Sequence, residues 1–138
     1  LKIIMNKFDI EVRVRYAETD QMGVVYHANY AQYFEIGRVE WLRNQGISYK
    51  WMEENGIMLP VVSLTMNYKK PAKYDDILTV TTILKSQSSV KIEFDYEIRN
   101  QEGELLTTGY SMLVFIDMKS GRPTLPPDYV TERLNMLK

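Results

Sequence analysis

A chain of 138 residues, 45% hydrophobic and 25% charged, has the length and composition of one soluble globular domain, which excludes disordered and fibrous classes and leaves no room within it for a second domain, so a single domain over 1–138 is expected. Seventeen basic against eighteen acidic residues give a formal net charge of −1, so no global positive field exists to hold nucleic acid or an anionic membrane, and an anionic ligand must meet a local patch. Cysteine is absent and the single histidine is His27, which removes disulfide scaffolds, thiol nucleophiles and multi-histidine zinc sites; the expectation is metal-free chemistry, no cofactor and a cytoplasmic location.

In chain order, residues 1–10 lack the long apolar core of a signal peptide, no apolar run approaches the ~20 residues of a membrane span, and no function is assigned to the residues ahead of Met5. From Phe8 to Arg15, Phe8, Ile10, Val12 and Val14 alternate with charged residues, the pattern of a half-buried strand. Residues 16–28 have no sustained period and contain Gly23, which reads as a long ordered loop. Asn29 offers an N-cap, with Gln32 at capping-box spacing, for a helix from Tyr30 to about Gln45. Tyr30, Tyr33, Phe34, Gly37 and Trp41 share one face of it, Glu35, Arg38 and Arg43 fall mostly on others, and Gly46 is the stop.

A short helix is expected over Ser48–Asn55, ended by Gly56. Pro60 then opens a strand with Val62, Leu64, Met66 and Tyr68 on one face, which Pro71 breaks before a turn at Asp75-Asp76. The β-branched run Ile77–Leu84 is the next strand. Val90, Ile92, Phe94, Tyr96 and Ile98 alternate strictly with Lys91, Glu93, Asp95, Glu97 and Arg99, which demands a strand with one buried and one wet face. After a turn at Asn100–Gly103, a last strand covers Glu104–Asp117, with Gly109 marking a bulge or a close backbone approach, until Gly121 and Pro123 end it. Strands longer than the usual ~5–6 residues twist and curl, so the expected architecture is α+β: one curved antiparallel sheet of about five strands around one long helix.

Chemistry concentrates between Glu18 and Tyr30, where carboxylates, a glycine, the only histidine and a helix N-terminus meet. Unpaired N–H groups at a helix entry can hold a carbonyl oxygen that becomes an oxyanion, and Asp20 can attack the carbonyl or activate a water, which suits acyl transfer. The plainer alternative is that Asp20 hydrogen-bonds its own loop and His27 is a satisfied polar residue beside the helix entry.

The run from Tyr16 through Asp20, Gly23, His27, Asn29 and Tyr30, followed by Phe34-Glu35, Gly37-Arg38 and Trp41-Leu42, closely resembles the signature of hotdog-fold acyl-CoA thioesterases of the 4-hydroxybenzoyl-CoA thioesterase type, including the YbgC-like enzymes. Downstream, Tyr68, Pro71-Ala72, Tyr74-Asp75-Asp76, Gly109 and Gly121-Arg122-Pro123 resemble the same family, so the likeness covers Phe8 to Pro127. It departs at Asp75, where the family usually has glycine.

The resemblance implies a hotdog fold and hydrolysis of an acyl-CoA to free acid and CoA. It implies Asp20 as nucleophile or general base, and His27 acting through its backbone N–H on the thioester carbonyl. Gly23 would let the loop fold around the acyl group. Val24, Tyr26, Asn29 and Tyr30 are the further substrate-binding candidates, with core packing the plainer role for Tyr26 and Tyr30. Glu35 is the rival carboxylate, since another branch of the fold carries its catalyst on the helix; its plainer role is an ion pair with Arg38 or a hydrogen bond at the subunit contact. For the CoA phosphates, cations are available at Lys69 and Lys70, with Lys73, Lys85, Lys91 and Arg122 as other surface charges. The implied assembly is a homodimer with the site between subunits, doubling to a homotetramer. Acyl carrier protein in place of CoA, an enoyl-thioester hydratase and a non-catalytic thioester-binding module are the alternatives; the hydratase motif, with Pro after Asn, is absent.

Overall fold

The computed structural model describes residues 6–137; the residues ahead of Met5 lie outside it. Its strands are β1 (Lys7–Arg13), β2 (Ile57–Met58), β3 (Val61–Tyr68), β4 (Ile77–Ser88), β5 (Lys91–Arg99), β6 (Leu105–Val114), β7 (Ile116–Asp117) and β8 (Arg122–Pro123), and its helices α1 (Tyr30–Asn44), α2 (Tyr49–Glu54) and α3 (Asp128–Asn135). Five strands form one antiparallel sheet in the order β1-β4-β5-β6-β3, and β2, β7 and β8 form a small separate ribbon. The expected α+β architecture is the observed one.

The alternation in β5 does what its period requires. Ile92, Phe94, Tyr96 and Ile98 are buried, and the charged residues between them are half-exposed or exposed. On the neighbouring strands Leu78, Val80 and Thr82 of β4 and Thr107, Ser111 and Leu113 of β6 complete this inner face. Against it lies α1 with Tyr30, Tyr33, Phe34, Gly37, Arg38, Trp41 and Leu42 buried. Phe34 stacks on Tyr96 at 4.4 Å between ring centroids and Trp41 meets the edge of Phe94 at 5.2 Å. Two glycines let helix and sheet approach. Gly109 leaves the space that the Phe34 ring fills, and a Cβ at Gly37 would press on Thr82 Oγ1 and lie 2.9 Å from Val80 Cγ1.

Several expectations are corrected. Of the two readings of Gly109, the close approach is present and the bulge is not: it pairs in register with Tyr96 and Met66, and the register shifts fall at Val61/Ser63, Leu84/Ser86 and Ile98/Arg99. The last strand divides at Phe115, which is buried, donates its N–H to Val90 O and accepts at its carbonyl from Thr124 N. Arg38 is not on an outer face; it is 8% exposed beside the phenols of Tyr49 and Tyr96, and it makes no ion pair with Glu35 among the described residues. The Asn29 capping box does not form, because the chain enters α1 through a 3-10 turn over His27–Asn29 and the Asn29 amide donates instead to Glu18 O at 2.8 Å. On β3, an edge strand that pairs only with β6, the apolar residues Val62, Leu64 and Tyr68 of one face are exposed. Helix α3 extends beyond the predicted elements and seats Val130 and Leu134 in the core.

Candidate functional site

The segment between β1 and α1 is built from short hydrogen-bonded turns. A 3-10 turn covers Tyr16–Glu18, then Thr19 bridges Val25 across a tight hairpin whose tip has Gly23 at φ +78, a left-handed conformation that glycine adopts without strain. Val24 bridges Lys73, which ties the hairpin to the turn before β4. In that turn Asp75 occupies φ +69, and Arg13 Nη1 donates to both Asp75 O at 3.1 Å and Oδ1 at 3.0 Å. Asp can therefore stand where the resemblance implies glycine.

Glu18 carries most of the polar structure here, and reasoning from the sequence gave it no separate role. Its carboxylate is buried and accepts from Arg15 N at 2.9 Å, Arg15 Nε at 3.1 Å, Arg15 Nη2 at 2.9 Å and the Tyr33 hydroxyl at 2.9 Å. Burial alone would raise its pKa, but these donors outweigh it and hold the carboxyl below the usual range. The Tyr33 phenol is pushed well up by burial and then by the Glu18 charge. The available sequence signals were the Arg15/Glu18 spacing of three and a phenol on the buried face of a helix, which needs a partner.

Asp20 is exposed, and its Oδ1 accepts from Met22 N at 2.8 Å and, more weakly, from Val24 N at 3.4 Å. The local loop bonds of the plainer alternative are present. They occupy one oxygen, and Oδ2 has no protein partner among the described residues. At the helix entry, His27 O accepts from Tyr30 N and Tyr68 OH, while the N–H groups of His27 and Ala28 have no acceptor among the described residues. The His27 ring is exposed and rests on Tyr26 at 4.4 Å between centroids. Tyr26 is thus not a core residue, whereas Tyr30 is buried, accepts from Ala72 N at 3.2 Å and meets Tyr33 and Tyr68 edge-on.

A cleft of about 250 Å³ opens beside this entry, walled by Val25, Tyr30, Tyr68 and Pro71 and rimmed by His27, Lys69 and Lys70. Four of the expected site residues, His27, Tyr30, Lys69 and Lys70, are therefore together; Asp20, Gly23, Val24, Tyr26 and Asn29 do not line it in the single chain. A larger groove of about 510 Å³ crosses the outer face of β1, β4 and β5, but its charges are mixed, Lys7 and Arg99 beside Asp9, Glu11 and Glu97, and it holds none of the motif residues. Lys70 Nζ already lies 2.8 Å from Glu104 Oε2, which raises the Lys70 pKa and lowers that of Glu104; Lys69 has no ion-pair partner among the described residues.

One long helix packed on the inner face of a five-stranded antiparallel sheet defines the hotdog class of thioester enzymes. The chain belongs to the thioesterase-like superfamily, whose profile matches residues 14–134, and it is a thioester hydrolase. It is 34% identical over 122 residues to the acyl-CoA thioester hydrolase YbgC of Escherichia coli, covering 88% of this chain and 91% of that one. It is 41% identical over 113 residues to YneP of Bacillus subtilis, covering 82% of each. The crystal structure of a DHNA-CoA thioesterase from Staphylococcus aureus superposes with a TM-score of 0.88 at 38% identity, over 95% of this chain and 92% of that one. Among the described residues no helix is long and apolar enough to cross a membrane.

Proposed function

We propose that this protein hydrolyses an acyl-CoA to the free acid and CoA, with Asp20 as the acting carboxylate and the His27 N–H as the donor to the thioester carbonyl. The observation that carries this is the pair of unpaired N–H groups at His27 and Ala28 beside an apolar cleft rimmed by lysines, in a chain related to a named acyl-CoA thioester hydrolase. As the carbonyl carbon becomes tetrahedral, its oxygen gains charge that the N–H donors stabilise. Asp20 either attacks that carbon itself or takes a proton from an attacking water. The C–S bond then breaks and the CoA thiolate leaves and is protonated; where water attacked, the free acid forms directly, and where Asp20 attacked, the acyl group is left on its carboxylate as a mixed anhydride that a water then hydrolyses to the free acid and the regenerated carboxylate. Lys69, and Lys70 when released from Glu104, meet the phosphates at the cleft rim. Gly23 and Val24 shape the hairpin tip, Tyr26 and Tyr30 border the acyl group, and Asn29 holds the helix entry.

The cleft is smaller than the ~300–1,000 Å³ of ordinary ligand sites, and the Asp20 hairpin stands open, with Met22 82% exposed. A second copy of the chain supplies the missing wall. Its way in is β3, whose outer edge is unpaired and whose exposed Val61, Val62, Leu64 and Tyr68 carry no charge, whereas the other edge, β1, sets Lys7, Asp9, Glu11 and Arg13 toward solvent. A homodimer formed there doubles to the expected homotetramer.

The test is a panel of acyl-CoAs assayed for free thiol, beside hydration of crotonyl-CoA and release from acyl carrier protein. Thiol release from acyl-CoA is expected. Hydration without thiol release, or binding without either reaction, overturns the proposal. Sedimentation as a monomer at micromolar concentration removes the shared site.

A further inference from the structure

We infer that Glu18 is a positioning residue for the reaction: it latches the Asp20 hairpin to α1 and so sets the distance between the carboxylate and the His27 N–H. The inference rests on the roles proposed for Asp20 and His27. Its observation is convergence. The Glu18 side chain ties back to Arg15 N and the Arg15 guanidinium and across to Tyr33 OH on the first turns of α1. Its own carbonyl accepts from Tyr26 N at 2.9 Å and from Asn29 Nδ2 at 2.8 Å. One residue thereby joins the strand exit at Arg15, the hairpin's return arm at Tyr26, the helix entry at Asn29 and the helix at Tyr33.

Burying a carboxylate is costly unless every lone pair is met, and Glu18, 6% exposed, is met on both oxygens. An apolar side chain would fill the same space without that cost, but it would not fix the hairpin's direction. Between Asp20 and Val24 the hairpin has its own local bonds and, toward the turn before β4, a weak bond from Tyr74 N to Gly23 O at 3.4 Å and the Val24–Lys73 bridge, with Val25 N donating to Ala72 O at 2.8 Å just beyond; these tie it to that turn, and the contacts that tie it to the first turns of α1 are those of Glu18. A misplacement of about 1 Å in a catalytic group can cost about 100-fold in rate, which makes such a latch matter more to turnover than to binding.

Glu18→Gln keeps the shape and one acceptor but presents an amide to the Arg15 donors; Tyr33→Phe removes one donor. The two variants and the wild type are compared by steady-state hydrolysis of an acyl-CoA that the wild type accepts, and by amide hydrogen exchange of peptides from residues 19–29 and from residues 77–99. For Glu18→Gln, kcat is expected to fall roughly 10- to 100-fold with KM within about threefold, and exchange to quicken in 19–29 but not in 77–99. Tyr33→Phe should move the same way and less. A folded Glu18→Gln with kcat near wild type overturns the inference, as does exchange that quickens evenly through both regions. If Glu18→Gln does not fold, Tyr33→Phe decides: wild-type kcat with unchanged exchange in 19–29 overturns it equally. A wild type without thioesterase activity, or a fully active Asp20→Asn, defeats instead the proposed roles beneath it, and either is seen before the Glu18 variants are compared.

Discussion

Helix α1 is held in two regions by opposite means. Along its buried face the contact is one of shape: Phe34 fills the gap left by Gly109 and stacks on Tyr96, and Gly37 lies against Thr82 and Val80. Ahead of its N-terminus the contact is polar, through donors gathered on Glu18 from Arg15, Tyr26, Asn29 and Tyr33. The first region should respond to volume and hardly to charge, and the second to charge and hardly to volume. Rigidity and chemistry are thus assigned to neighbouring segments that can be perturbed one at a time.

The largest separation of the two comes from Asp20→Asn. Asn keeps the oxygen that accepts from Met22 N but can neither attack nor take a proton, so turnover should fall at least ~100-fold. As an exposed change it should alter stability by no more than about 0.5 kcal/mol. Steady-state assay beside thermal melting checks both, and a variant that melts early as well would show that the hairpin and core are not separable. Glu35→Gln is the matched control on the helix and should lose far less activity.

Gly109→Ala probes the other region. Its Cβ would enter the Phe34 ring and lie 3.2 Å from Thr65 O, and overpacking of this kind costs about 1–3 kcal/mol. At roughly 2–4 °C per kcal/mol for a chain of this size, calorimetry should show a clearly lower midpoint while kcat per folded molecule below it is kept.

Acid and alkali should both act through the polar region. Glu18 is held below the ordinary carboxylate range, so its contribution to stability is complete above the unfolded pKa of ~4.3 and is lost as pH falls through the lower folded value. Tyr33 is raised, so its contribution is complete below ~10 and is lost as pH rises through the higher folded value. Melting midpoints across the two windows check this, and Glu18→Gln should flatten the acid limb.

The smallest effect concerns the cleft rim. Added salt should raise KM for an acyl-CoA by a few-fold and leave an acyl-pantetheine unaffected. Lys69→Ala should raise KM more than Lys70→Ala, because Lys70 is already matched by Glu104. Equal effects of both substitutions would show that the ion pair opens when substrate binds.

Much of the shape-held region was legible in the sequence, because burial there follows a period. Strict alternation in β5 and the 3-4 spacing in α1 named the inner faces, and a glycine inside β6 named the close approach. Arg38 escaped because a period registers charge and not surroundings: its stem lies along the core and two phenols receive its head. For β3 the same holds: alternation tells that Val62, Leu64 and Tyr68 share an apolar face without telling that this face is exposed. In α3 the signal was only Val130 and Leu134, four apart after two prolines. In the loop, local spacing marked the segment from Glu18 to Tyr30 as chemically dense. The Glu18–Tyr33 bond, across 15 positions, and the Lys70–Glu104 pair, across 34, join elements whose relative placement only the folded chain defines.

The strand order also dictates when each part of the molecule can acquire its neighbours. Strands β4, β5 and β6 follow one another through short turns and pair with their immediate successors, so they close loops of little entropy. Strand β1 is first along the chain but pairs only with β4, and the Thr81–Asp9 bond that seals it, at 2.6 Å, spans 72 positions. Contacts so remote form late, after the local meander has paid for the loop they enclose. On a chain emerging from its N-terminus, Tyr33, Phe34, Trp41 and Leu42 therefore appear well before the sheet that covers them, and the apolar face of α1, like that of β1 ahead of it, is surface that a nascent chain must shield until β4 follows.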